Sequence, residues 1–273
     1  MNVLVVDGYN LYAACNATSG KLCRSDGFPT GALYGVIRSI ESQVNKRSID
    51  RVWFALEGGG QSVRQKFAPD VYKANRDPDA PSVARWHEQH HDLLFEWAKA
   101  RGVRVIWGEG LEADDAIAFV HMRERGHRQF ILSRDHDFRS LLDSRTELVW
   151  GDKRFGEDDF VSMFGFKPSL YEIYLAVAGD PSDNVPRVLM PAKAKKLMQS
   201  MPPNGRALAH VQANLSVEQY HEALRNLALV KKRTDESFFV CEPTVDRDAL
   251  RSLYDTLEFR SLAKVLDSAG ALR

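Results

Sequence analysis

Four short runs in the first half of the chain are apolar at nearly every position: Val3-Leu-Val-Val6, Arg51-Val-Trp-Phe-Ala-Leu56, Val103-Arg-Val-Ile-Trp107 and Gln129-Phe-Ile-Leu-Ser133. Runs of this length, without an alternating polar face, predict strands covered on both sides. Between them the spacing of apolar residues predicts helices over residues 30–46, 82–101, 113–125 and 138–142. Strands separated by helices imply right-handed crossovers and a mostly parallel sheet. Glu147-Leu-Val-Trp150 predicts one more strand. Beyond residue 167 the pattern becomes helical, over residues 169–178, 192–198 and 216–232, with breaks at Gly179-Asp-Pro-Ser-Asp-Asn-Val-Pro186 and Pro202-Pro-Asn-Gly205. The expectation is an α/β domain over residues 1–165, a mostly parallel central sheet flanked by helices, followed by a helical module over residues 166–273.

The 273 residues are 44% hydrophobic and 27% charged, a composition that builds a core and excludes a disordered chain. Thirty-seven basic residues balance 37 acidic ones, so any contact with nucleic acid has to come from local patches. Cys15, Cys23 and Cys241 lack metal-ligand spacing and read as reduced thiols. The first apolar run is too short for a signal peptide, and no run is long enough to span a membrane. A cytoplasmic protein with no membrane partner is expected.

The acids change the picture. Asp7 ends the first strand and Glu57 follows the second. Glu112, Asp114 and Asp115 follow the third, and Asp135 and Asp137 follow the fourth. In a parallel sheet these positions share the carboxyl edge, where open α/β sheets build their sites. Singly, each has a structural role to hand: Asp7 as a helix cap, Asp114 and Asp115 at a helix N-terminus. Together they repel, each close pair by roughly 1–4 kcal/mol, and the cluster calls for a cation. All-oxygen ligation selects Mg²⁺ or Mn²⁺ over zinc. Two such ions about 4 Å apart could activate a water and stabilise a leaving oxygen at a scissile phosphate.

Asp7-Gly-Tyr-Asn-Leu11, Tyr72-Lys-Ala-Asn-Arg76, Glu112-Ala-Asp-Asp115, Ser133-Arg-Asp-His-Asp137 and the segment from Gly179 to Pro186 together resemble the 5′-nuclease family. That family includes flap endonucleases, phage 5′–3′ exonucleases and the 5′-nuclease domain of DNA polymerase I. The resemblance implies a PIN-like α/β fold, a gateway over residues 64–95 and a helix-three-turn-helix over about residues 170–200 that grips duplex DNA. It implies one metal held by Asp7, Glu57, Asp114 and Asp115 with Glu112 nearby, and a second near Asp135, Asp137, Asp180 and Asp183. Asp7, Asp115, Asp135, Lys73 and Arg76 are then the catalytic candidates. The implied reaction is metal-assisted hydrolysis of DNA near a 5′ flap, nick or free 5′ end, in replication or repair, by a single chain. RNA of an RNA–DNA hybrid is a further substrate.

Two departures bear on this. Glu57 stands where the family usually has Asp. The family's glycine-rich turn, which can hold K⁺, is replaced by Arg187-Val-Leu-Met-Pro-Ala-Lys193, which argues against potassium there. Arg64, Lys73, Arg76, Arg187, Lys193, Lys195 and Lys196 are the basic candidates for phosphate contact. Tyr34 either stacks on a base or belongs to the core. Lys231-Lys-Arg233 either extends the basic patch or is a solvated turn, and His87, His90 and His91 read as a solvent-facing helix surface. A catalytically inactive structure-specific DNA-binding protein and a PIN-like ribonuclease are the alternatives. A binder has no need of so many mutually repelling carboxylates.

Overall fold

The computed structural model describes residues 1–75, 83, 85–202 and 205–268. A seven-stranded sheet, in the order β6-β5-β4-β1-β2-β3-β7, runs through its centre. The strands are β1 Asn2–Asp7, β2 Arg51–Ala55, β3 Arg104–Trp107, β4 Arg128–Leu132, β5 Thr146–Trp150, β6 Lys153–Phe155 and β7 Phe239–Cys241. β1 lies parallel between β2 and β4, with β3 parallel to β2 and β5 parallel to β4. The two edge strands, β6 and β7, run antiparallel to their neighbours.

Side chains alternate across this sheet, and both faces are buried. Leu4, Val6, Phe54 and Val105 enter one core and Val3, Val5, Trp53 and Ile106 the other. The helices are α1 Gly8–Ser19, α2 Gly31–Arg47, α3 Val63–Phe67, α4 His91–Arg101, α5 Ala113–Arg123, α6 Glu157–Phe164, α7 Tyr171–Ala178, α8 Pro191–Gln199, α9 Ala207–Asn214, α10 Val217–Val230, α11 Arg247–Thr256 and α12 Arg260–Ser268. Leu11, Ile37, Trp97, Leu250 and Leu262 bring α1, α2, α4, α11 and α12 into the first core. Ile117, Phe160, Val177, Leu197 and Leu229 bring α5, α6, α7, α8 and α10 into the second.

Several elements differ from the sequence reading. The expected helix over residues 82–101 contains a π-helical turn, Trp86–His90, before α4. His90 is fully buried there rather than solvent-facing. Its Nε2 lies 2.7 Å from the Pro29 carbonyl, which can only accept, so Nε2 carries the proton and Nδ1 accepts from the Tyr12 hydroxyl at 2.9 Å. α1 follows from the reading of Asp7 as a helix cap but not from periodicity: buried Leu11, Tyr12 and Cys15 alternate with polar Asn10, Asn16 and Thr18, which blurs it. The three-residue strands β6 and β7 and the helix α6 also escaped the pattern. Nor does the boundary near residue 165 separate the rest of the chain from the sheet. β7 hydrogen-bonds to β3, and Trp97 of α4 donates from Nε1 to the Tyr254 hydroxyl of α11 at 3.0 Å. Among the described residues, no helix is long and apolar enough to cross a membrane.

Candidate metal centre

The parallel register delivers the acids to one edge. Asp7, the last residue of β1, also caps α1, accepting from the Asn10 amide at 3.2 Å. Gly8 after it has a steric reason: a Cβ there would come within 2.7 Å of the Ala55 carbonyl of β2. The other Asp7 oxygen accepts from Ser133 Oγ at 2.9 Å, just beyond β4, and Ser133 Oγ in turn accepts from the Asp135 amide at 3.0 Å. Asp135 caps the 3₁₀ turn His136–Leu141 that carries Asp137. Burial, reinforced by the charge of Asp135, pushes the Asp7 carboxyl up to about 7.

A second group forms across the sheet edge from α7. Carboxylate oxygens of Asp137, Asp180 and Asp183 all lie within 4.8 Å of one another. Asp180 and Asp183 are held by a tight turn in which Asp180 and Val185 exchange backbone hydrogen bonds. Gly179 enters it at φ +76, and a Cβ there would meet the Val185 carbonyl at 2.9 Å. Burial first, then Asp135, Asp180 and Asp183, push the Asp137 carboxyl up, against the opposing charge of Lys232. Asp180 Oδ1 accepts from the amide and hydroxyl of Ser182, at 2.9 and 2.7 Å. Its buried Oδ2 has no hydrogen-bond partner among the described residues. A buried lone pair left unserved costs about 1–3 kcal/mol. Three convergent carboxylates and an orphaned oxygen fit a hard divalent ion bound through oxygen. The donor set therefore suits the metal, and Asp137, Asp180 and Asp183 are the residues that would hold it.

The third group sits at the start of α5. Glu112 is its N-cap, and Asp114 and Asp115 fill the first turn. Arg64 of α3, only 1% exposed, forks onto both oxygens of Asp115 at 2.6 and 3.0 Å, and reaches Asp114 at 3.2 Å and Glu112 at 3.5 Å. Burial works to raise the Asp114 carboxyl, but the charges of Arg64, Lys232 and Lys73 outweigh it and hold it below its usual range. Asp115 is pushed up, by burial and then by Asp114. The Tyr72 hydroxyl lies 2.9 Å from Glu112 Oε2 and 3.1 Å from Asp183 Oδ2. A phenol carries one proton and serves one carboxylate at a time. The Lys73 ammonium, bonded to the same Glu112 oxygen and 3.8 Å from Asp183, covers the shortfall. Lys73 holds φ +54, and its amide donates to the Asp183 carbonyl at 3.0 Å. Tyr9, Glu57, Ser62, Tyr72, Lys73 and Glu112 line a cleft of about 380 Å³ that opens at this group.

The remaining candidates are placed as follows. Glu57 is exposed on the cleft wall, and its charge acts on Asp7. Arg64, read from sequence as a phosphate contact, is committed to carboxylates in the interior. Tyr34 donates to or accepts from Ser261 Oγ at 2.8 Å and packs edge-on against Phe259, which ties it to the C-terminal helices. Lys195 donates to the Met163 carbonyl at 2.8 Å at the end of α6, while Arg187, Lys193 and Lys196 are exposed around the start of α8. Arg76 lies outside the described residues. Sequence reasoning missed Lys232, whose side chain is buried beside Glu172 at 3.6 Å. Its setting between Lys231 and Arg233 reads either as an extension of the basic patch or as a solvated turn, both at the surface. It also missed Ser62, which donates to Glu112 Oε1 at 2.8 Å, although the Ser62-to-Gln65 capping box was visible.

Residues 2–165 match the family model described as "5′-3′ exonuclease, N-terminal resolvase-like domain". The chain belongs to this family. A 5′-3′ exonuclease of Aquifex aeolicus is 30% identical over 171 residues, 61% of this chain and 57% of that protein. A thermostable DNA polymerase I of Thermus caldophilus is 29% identical over 282 aligned residues, 95% of this chain but 32% of that one. The chain thus spans 57% and about a third of these two curated relatives. Among solved structures, a bacteriophage T5 flap endonuclease in complex with DNA and metal ions superposes with a TM-score of 0.63 at 19% identity, covering 98% of each chain. At that identity it establishes the fold alone, which this 5′-3′ exonuclease family member shares over 98% of its length.

Proposed function

We propose that the chain hydrolyses phosphodiester bonds of DNA near 5′ ends, as a 5′–3′ exonuclease and flap endonuclease dependent on Mg²⁺ or Mn²⁺. The observation that carries this reading is the convergence of Asp137, Asp180 and Asp183 on one point, with an unserved Asp180 oxygen, beside a cleft lined by Lys73 and Tyr72. Asp137, Asp180 and Asp183 would hold one ion, and Asp7 with Asp135, linked through Ser133, offers oxygens for a second. Bound there, a divalent ion polarises a phosphoryl oxygen and makes water nucleophilic at neutral pH.

The chain's own residues do the rest. Lys73 sets a positive charge at the cleft floor, where negative charge grows on the phosphate as the bond breaks. Its left-handed backbone is held by a hydrogen bond from its amide to the Asp183 carbonyl, which ties the Lys73 main chain to the turn that carries Asp183. Tyr72 fixes the spacing of Glu112 and Asp183. Tyr9, backed edge-on by Trp86 at 5.8 Å, forms the aromatic wall on which an entering strand packs. Exposed Arg187, Lys193 and Lys196 suit sequence-independent contact with a duplex backbone.

A 5′-labelled flap duplex, incubated with Mg²⁺ or with EDTA, tests the reading, with single-stranded RNA of the same sequence as comparator. Flap cleavage in Mg²⁺ alone is expected, reduced at least about 100-fold in Asp135→Asn and Asp137→Asn. Cleavage that persists in EDTA, or full turnover by Asp137→Asn, refutes the metal assignment. Preference for the RNA refutes the substrate.

A further inference from the structure

The acids are not held together from outside alone. Besides Arg64 and Lys73, a third cation reaches their midst: Lys232, 5% exposed, in the segment that leaves α10. Its Nζ is buried and donates no hydrogen bond among the described residues. It lies 3.6 Å from Glu172, its charge acts on both Asp114 and Asp137, and it stands over the Phe138 ring at 6.0 Å. The flanking backbone is tied to the same acids. The Lys231 carbonyl accepts from Arg64 at 3.1 Å, and the Arg233 amide donates to Asp115 at 2.7 Å. Residues 231–233 therefore form a strap across the third acidic group, and the Lys232 charge acts on that group and on Asp137 alike.

We propose that Lys232 is a positioning residue, an internal counter-ion that lets the carboxylates share one pocket before any metal arrives and that competes with the metal for them. An ammonium without hydrogen bonds, buried among carboxylates, is stabilised mainly by their charge. A divalent ion entering at Asp137 brings its own charge close to that ammonium, and the two repel. Lys232 thus weakens metal affinity while it stabilises the metal-free fold. The inference rests on the metal assignment proposed above.

The test measures Mn²⁺ binding by titration calorimetry and thermal unfolding in EDTA and in Mn²⁺, for wild type, Lys232→Met and Lys232→Arg. Lys231→Met, the same change of charge at an exposed neighbour, is the control. Lys232→Met is expected to unfold at lower temperature in EDTA, to recover most of the loss in Mn²⁺, and to bind Mn²⁺ at least about tenfold more tightly. Lys232→Arg and Lys231→Met are expected to behave like wild type. Equal destabilisation in EDTA and Mn²⁺, or unchanged or weaker binding, overturns the proposal. Should Lys232→Met fold in neither condition, Lys232→Met/Asp137→Asn decides: folding supports the counter-ion role, and failure to fold overturns it. Wild type that binds no Mn²⁺ instead refutes the metal assignment, so the two failures are distinguishable.

Discussion

Lys73 combines a backbone constraint with a charge, and the two can be separated. At φ +54 any L side chain is strained, whereas glycine is not. Lys73→Ala and Lys73→Gly both delete the ammonium, so both should lose flap cleavage to the same extent. In chemical denaturation Lys73→Gly should be the more stable of the two by about 1 kcal/mol. Equal stability would mean that the left-handed conformation imposes no strain. This residue also shows how far single positions could be read from sequence. The Tyr72-Lys73 pair stood out by its motif, and the acids by their strand-end positions. Arg64 and Lys232 were misjudged because local sequence gives charge but not depth. Arg64 sits in a five-residue helix with Lys66, and Lys232 between two basic neighbours, so both read as surface charge, Arg64 as a phosphate contact and Lys232 as part of a basic patch or a solvated turn. Only the tertiary fold reveals that each is surrounded by carboxylates.

The turn between α7 and α8 owes its shape to a residue outside it. Asn226 of α10, 1% exposed, donates from Nδ2 to the Ala176 carbonyl at 2.9 Å and to the Pro186 carbonyl at 2.7 Å. It thereby pins both ends of the segment that presents Asp180 and Asp183. Asn226→Ala orphans two acceptors and should cost roughly 2–4 kcal/mol in urea unfolding, with weaker Mn²⁺ binding; unaltered stability would show the turn to be self-supporting. The π-helical turn carries a pH dependence of its own. Burial depresses the His90 pKa from its usual 6.5, so the folded chain takes up this proton less readily than the unfolded one. The contribution is therefore complete above about 6.5 and is lost as pH falls below it. His90→Gln should flatten the acid side of the stability profile between pH 7 and 5; an unchanged slope would exclude His90 as its source. Sequence periodicity announced a helix here but not the bulge, because the inward turn of His90 depends on Tyr12 and Pro29, far away in the chain.

Across the molecule, the parallel strands β1 to β4 were legible because each is apolar at nearly every interior position, and their order put the acids on one edge. The sheet's margins were not legible. β6 and β7 are three residues each, and Phe239-Val-Cys241 acquires strand character only by pairing with β3. The C-terminal helices that follow cover Trp97 and close the first core through Leu250, Tyr254 and Leu262. A chain ended at residue 236 should consequently show no cooperative thermal transition by circular dichroism. A sharp transition within a few degrees of the full chain would make this segment an accessory. The late arrival of β7 also has a consequence for biosynthesis. While the ribosome is still translating, β3 presents bare amides and carbonyls to its surroundings, an edge open to pairing with any neighbouring nascent chain. Sealing it awaits residues encoded far downstream, so β3 stays open until residues 239–241 have emerged, and crowded polysomes are where misassembly of this protein would begin.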